Sequence, residues 1–153
     1  LDLGGSQLVF IEAAMLHWPD TMFTYMTGEN ILFSNDGFGQ HYASERMYND
    51  CVDQAELYQE AMKYYANILN LYSPMVTRKI DEILKMDVPV SMICPSHGVI
   101  WRKDPLKIVA KYQEWAKSLP GKPDYQSSTI RCGIPRAAWL NASPKACAKQ
   151  IRR

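Results

Sequence analysis

Three short apolar segments, each followed by a single histidine or aspartate, constrain this chain more than any other feature. The first, "SQLVFIEAA", is rich in Val, Ile and Phe, alternates weakly and reads as a strand leading towards His17. The second, Ile31-Leu32-Phe33, follows a turn marked by Gly28 and Glu29-Asn30, reads as a short buried strand, and ends at Ser34-Asn35-Asp36. The third, "PVSMICPS", reads as a buried strand that runs into the loop Pro95-Ser96-His97-Gly98. Strand ends and the loops after them are where scaffolds hold reactive groups. Taken singly, each residue has an ordinary reading: His17 as a core histidine, Asp36 as a helix or turn cap, His97 as a buried loop histidine. Together, two imidazoles and a carboxylate at equivalent places suit a metal centre, because both donor types bind iron and zinc.

Helical segments separate these strands. From Asp53 to Tyr72, apolar residues recur at three and four: Tyr58, Ala61/Met62, Tyr65, Ile68/Leu69 and Tyr72. That spacing predicts one long amphipathic helix with Asp53 as its N-cap, broken at Ser73-Pro74. "TRKIDEILKM" predicts a shorter helix with Thr77 near its start. "DPLKIVAKYQEWAKSL" predicts another, with Asp104 as N-cap and Pro105 at the first helical position. Pro120-Gly121-Lys122-Pro123 reads as a linker, and no internal repeat is visible. Strands interleaved with helices make an α/β chain.

Composition narrows the class. Of the 153 residues, 47% are hydrophobic and 22% charged, the balance of a soluble globular protein. No apolar run is long enough to span a bilayer and no basic-then-apolar leader opens the chain, so a membrane is not an expected partner. Cys51, Cys94, Cys132 and Cys147 form neither a C-x-x-C pair nor a zinc-ribbon spacing, and read as free thiols of a cytoplasmic protein. No serine or cysteine nucleophile stands in a recognisable setting, and no phosphate-cradling glycine loop appears. The formal net charge of +1 conceals an asymmetry. Residues 124–153 hold six Lys/Arg against Asp124 alone, leaving 11 basic and 15 acidic groups in residues 1–123. A basic tail can signal nucleic acid, but this one lacks interleaved aromatics, and nucleic acid is not expected as a partner.

The stretches "MLHWPDTMFTYMTGENILFSNDGFGQH", "YYANIL" and "CPSHGVIWR" resemble the flavodiiron proteins, the oxygen and nitric oxide reductases of anaerobes and facultative bacteria. The resemblance covers residues 1 to about 119, including the 19-residue step from His17 to Asp36 and the 61-residue step from Asp36 to His97. Trp18-Pro19-Asp20 is its discriminating element. It implies the C-terminal half of a metallo-β-lactamase-like αββα sandwich holding a non-haem diiron centre. The family's first ligands come from an H-x-E-x-D-H motif that this chain does not contain. By the resemblance, His17 binds one iron, His97 the other, and Asp36 bridges the two. Tyr64 matches a tyrosine near the diiron pocket; packing of that residue into the core is its ordinary reading. His41 takes a loop or supporting role, and Trp18 and Asp20 shape the pocket. The resemblance further implies electrons passing from a rubredoxin-like donor through FMN to iron, nitric oxide or dioxygen as substrate, and a head-to-tail homodimer. A zinc-dependent hydrolase of the same superfamily is the rival reading.

Members of that family continue into a flavodoxin-like FMN domain, whereas residues 120–153 resemble no flavodoxin. Reading across codon boundaries in a shifted frame, the tail permits "LSVIYDTMWNSTRSMAECIAKGLRKA", an apolar strand, a Ser/Thr-rich loop and a helix. A frameshift near Asp124 is therefore expected, as is a chain that begins inside a longer gene, since it opens on Leu1. Such a chain, without the H-x-E-x-D-H ligands and the flavin domain, is expected to be inactive alone. Flanking DNA read in all frames is the check. Upstream sequence is expected to encode H-x-E-x-D-H and the shifted downstream frame a flavodoxin domain; an upstream H-x-H-x-D-H instead would favour the zinc hydrolase.

Overall fold

The structure, a computed structural model, describes residues 1–118. Four strands, β1 (Leu8–Glu12), β2 (Met22–Met26), β3 (Ile31–Asn35) and β4 (Met92–Pro95), form one sheet in the order β1-β2-β3-β4. Strands β1, β2 and β3 pair antiparallel in sequence, with Glu12 opposite Met22 and Met26 opposite Ile31. Strand β4 returns parallel to β3, with Leu32 opposite Ile93. A parallel return needs a long crossover, and helices α1 (Gln54–Tyr64) and α2 (Ser73–Lys85) lie within it. Helix α3 (Leu106–Ser118) follows β4.

Side-chain alternation divides the sheet into two unlike faces. Phe23, Tyr25, Leu32 and Ile93 are buried in one core with Leu57, Ile80, Ile108 and Tyr112 from the helices. Phe38 joins the layers, with ring centroids 6.1 Å from Phe23 and 4.7 Å from Tyr112. The other face carries Phe10, Met22 and Phe33, between 42% and 52% exposed. This is an α/β half-layer, one sheet with helices on one side. Ile31-Leu32-Phe33 is thus not a buried run but an alternating one, with Leu32 inward and Phe33 outward.

Several expected elements differ. Strand β2 is not among the three expected strands, yet it is needed: the chain must return before β3 can run in the direction of β1. The single helix expected over Asp53–Tyr72 is regular only to Tyr64. It then widens into a π-type turn (Tyr65–Leu69) and tightens into a 3₁₀ turn (Asn70–Tyr72). The cause is tertiary. Tyr65 packs edge-on against Tyr112, with ring centroids 4.9 Å apart, and donates its hydroxyl to Ser73 Oγ at 2.8 Å. Ser73 Oγ in turn donates to the Asn70 carbonyl at 2.8 Å. Ser73-Pro74 opens α2 rather than merely ending its predecessor, since proline suits a first turn whose N–H groups have no helical partner.

Asp53 caps α1 as expected, its Oδ1 accepting the Glu56 N–H at 2.8 Å. Asp104 does not cap α3 with its side chain. It adopts φ +50°, and its carbonyl accepts the Lys107 N–H at 2.9 Å. Cys51 and Cys94 are free. Cys132, Cys147 and residues 120–153, expected to be a linker and a frameshifted tail, lie outside the described residues.

Phe23 and Phe33 are expected to behave oppositely. Phe23→Ala removes a buried ring and should lower the urea unfolding free energy by about 3–5 kcal/mol. Phe33→Thr should change it by no more than about 0.5 kcal/mol while reducing light scattering, because it blunts an exposed apolar face.

Candidate metal centre

Strand direction brings the candidate residues together. Strands β1, β3 and β4 all run the same way, so their C-terminal ends lie at one edge of the sheet. His17 sits in the loop from β1 to β2. That loop is closed by Ala13 N–H to the Thr21 carbonyl (2.9 Å), Met15 N–H to the Trp18 carbonyl (2.7 Å) and Trp18 N–H to Thr21 Oγ1 (3.1 Å). Ala13 and Leu16 anchor it in the core. Asp36 follows β3, in a turn where Ser34 Oγ donates to the Gly37 carbonyl at 2.6 Å. His97 follows β4. Ser96 ties that end to β3, its N–H bonding the Asn35 carbonyl at 2.7 Å and its hydroxyl Asn35 Oδ1 at 2.9 Å.

Asp36 lies between the two imidazoles. His17 Nδ1 is 3.9 Å from Asp36 Oδ2, and His97 Nε2 is 3.5 Å from Asp36 Oδ1. Both separations exceed a hydrogen bond. The protonation of His97 follows from its other nitrogen. Nδ1 lies 3.2 Å from the Gln40 carbonyl, and a carbonyl only accepts, so Nδ1 carries the proton. In the neutral ring Nε2 is then a bare lone pair facing a carboxylate oxygen. His17 Nδ1 is buried with no hydrogen-bond partner. Two imidazole nitrogens set around one carboxylate without a hydrogen bond leave room for a positive charge among them, a ring proton or a metal cation. Neutral imidazole and carboxylate are also the donors that suit iron or zinc.

Tyr64 stands beside His97. It is buried, with its hydroxyl 3.4 Å from His97 Nε2. Burial pushes its phenol well above the ordinary tyrosine range, and the Asp36 charge adds to the effect, so it stays protonated. His41 is not paired with Asp36. Its ring packs on Tyr64 and His97, at centroid distances of 5.0 and 5.2 Å, while the close imidazoles of Asp36 are His17 and His97. Trp18 is 60% exposed and touches the site through its ring, 5.6 Å from that of His17. Among the described residues, no group of three or more His, Cys, Asp or Glu side chains is arranged to hold a metal ion unaided. His17, Asp36 and His97 stand together at one edge of the sheet.

One residue at this edge escaped the sequence reading. Gln40, wholly buried, joins the loops that carry Asp36 and His97. Its position beside His41 in "GFGQH" carries no spacing or periodicity that marks it; only the fold shows that residue 40 faces residue 99.

Comparison with known proteins bears on this geometry. A family profile described as "ODP family beta lactamase" matches residues 1–98. An anaerobic nitric oxide reductase flavorubredoxin of Aeromonas hydrophila subsp. hydrophila is 60% identical over 117 residues, 76% of this chain and 24% of that protein. The flavodiiron protein of Giardia intestinalis superposes with a TM-score of 0.71 at 43% identity, covering 77% of this chain and 29% of the other. The rubredoxin oxygen:oxidoreductase of Desulfovibrio gigas superposes with a TM-score of 0.74 at 39% identity, covering 76% and 30%. The chain spans about a quarter of the length of the curated relatives it matches.

The unbonded imidazole nitrogens beside Asp36 have a measurable consequence. In the metal-free chain, Asp36→Asn replaces an acceptor by an amide donor and is expected to hold or raise stability, by about 1 kcal/mol in urea unfolding. A loss of that size would mean instead that Asp36 forms ion pairs with protonated rings.

Proposed function

Because the chain belongs to the flavodiiron family of metallo-β-lactamase-like domains, we propose that it supplies one half of a diiron site in an oxidoreductase that reduces nitric oxide, dioxygen or both. In this reading, residues 1–119 are the C-terminal half of the diiron domain, and residues 120–153 are a linker and a frameshifted remnant of a flavin domain. His17 would hold one iron and His97 the other, with Asp36 shared between them. The observation that carries it is two imidazole nitrogens, His17 Nδ1 and His97 Nε2, set 3.9 and 3.5 Å from the two oxygens of one carboxylate. By the resemblance, H-x-E-x-D-H ligands, a motif this chain does not contain, would complete the donor set. The apolar outer face of the sheet, which suits a second sheet packed on it, supports the same reading.

The residues of this chain divide the work simply. Asp36 places negative charge between two cations and offsets their repulsion. His17 and His97 bind as neutral ligands and leave the net charge to the carboxylate. Tyr64 keeps a phenolic proton within reach of His97 and of whatever occupies the pocket. Iron, when bound, supplies the redox chemistry, with electrons from a rubredoxin-like donor by way of FMN. A head-to-tail homodimer and a cytoplasmic setting belong to the same proposal. Among the described residues no helix is long and apolar enough to cross a membrane.

The test uses the intact parent protein, with its N-terminal half and flavin domain restored. His17→Ala, Asp36→Ala and His97→Ala are each expected to lower bound iron and reduce gas turnover to background. Asp36→Ala should be worst, because it removes a ligand to both metals and the charge between them. His41→Ala should leave iron stoichiometry near normal. Equal iron loss at His41 and His97 would overturn the ligand assignment, and zinc in place of iron would favour the hydrolase.

A further inference from the structure

Two loops meet beneath His97. One runs from Asp36 to His41 after β3, the other from Ser96 to Trp101 after β4. Gln40 lies between them with no exposed surface. A buried amide must satisfy a carbonyl acceptor and two N–H donors. Here every partner is backbone. Gln40 Oε1 accepts the Val99 N–H at 2.7 Å, and Nε2 donates to the Phe38 carbonyl at 3.1 Å and the Val99 carbonyl at 3.2 Å. The backbone carbonyl of the same residue accepts His97 Nδ1–H at 3.2 Å. One side chain therefore pins both the peptide two residues after His97 and the carbonyl that orients its ring. Trp101 braces the arrangement, its Nε1–H donating to the Phe38 carbonyl at 2.8 Å.

Two glycines make room for this contact. Gly98 has φ +82°, and a Cβ there would collide with Gln40 Oε1 and lie 2.7 Å from the Gln40 carbonyl oxygen. A Cβ on Gly39 would lie 2.9 Å from His97 Cε1. Each loop thus carries a glycine where the other loop presents its functional residue. Plain loop closure needs neither such close approach nor a carbonyl aimed at an imidazole nitrogen.

We propose that Gln40 is a positioning residue that locks His97 in its Nδ1–H tautomer and so presents an unprotonated Nε2 to Asp36 and the centre of the site. This rests on the reading of His97 as a metal ligand, for which a free lone pair is required. The free histidine side chain favours the opposite tautomer, so the preference at His97 is imposed by the fold.

The test needs no metal. The full chain is labelled with nitrogen-15 histidine, and the tautomer is read by solution or solid-state NMR at pH of about 8.5, where an ordinary imidazole is neutral. The chain has three histidines, so His97 is assigned by removing the other two in turn with His17→Gln and His41→Gln. The expected result is a preference of about tenfold for Nδ1–H at His97, the scale a single hydrogen bond sets. Gln40→Met keeps length and burial but removes all three side-chain bonds, and is expected to collapse that preference to a mixture. Gly98→Ala should do the same with the glutamine in place, by displacing its amide. A wild-type His97 protonated on Nε2 overturns the proposal outright. So does an unchanged tautomer in either variant, which would leave Gln40 a purely structural tie. Bound iron in the parent His97→Ala protein tests the ligand reading separately, so either can fail alone.

Discussion

Strand β3 runs parallel to β4, and that pairing sets the distance between Asp36 and His97, residues 61 positions apart in the chain. A parallel pair puts the two C-terminal ends side by side, and Ser96 then bonds Asn35 through both its backbone and its hydroxyl. The helices of the crossover pack the inner face of the sheet and bring Tyr64 to the same edge. The antiparallel β1-β2 hairpin adds His17 from the other side. If the β3–β4 register slipped by one residue, the inward set of Ile93 would be exchanged for that of Cys94 and His97 would move away from Asp36. The core and the site therefore depend on one register.

The site itself is at odds with ordinary packing. A stable core pairs its buried polar groups, and most of this one does: Asn49, Gln40 and Trp101 each bond backbone groups across loops. At Asp36 the rule breaks, with His17 Nδ1 unpartnered and His97 Nε2 turned lone pair first towards a carboxylate. Departures of this kind concentrate at functional positions, where local stability yields to chemistry. The outer face of the sheet, with Phe10, Met22 and Phe33 exposed, is a second departure.

Much was legible in the residues themselves. Strands β1, β3 and β4 follow from apolar runs bounded by turn residues, and the start of α1 from Asp53 and the apolar spacing after it. The polar residues after the three strands stood out because loops, unlike strands, have no packing reason to carry a lone imidazole or carboxylate beside apolar runs. The resemblance carried by "HWPD", "SNDGFGQH" and "CPSH" then gave those residues roles. What failed did so for tertiary reasons. The apolar spacing continues through Tyr65–Tyr72, but the Tyr65 contact with Tyr112 and Ser73 bends the backbone out of the α form. Asp104 has the residue type of a cap and the wrong backbone angle for one.

The sequence by itself determined which segments are apolar, where the chain turns, and which residue types stand at the strand ends, because periodicity and turn chemistry are local properties. Only the tertiary structure decided that three strands point the same way, that β2 lies between two of them, and that Gln40 reaches Val99 across two loops. Those are facts of pairing between residues up to 61 positions apart, and no local pattern encodes which acceptor a histidine nitrogen will meet. The partner of His97 Nδ1 is the Gln40 carbonyl, a group every residue possesses, and so only its position in space gives it meaning.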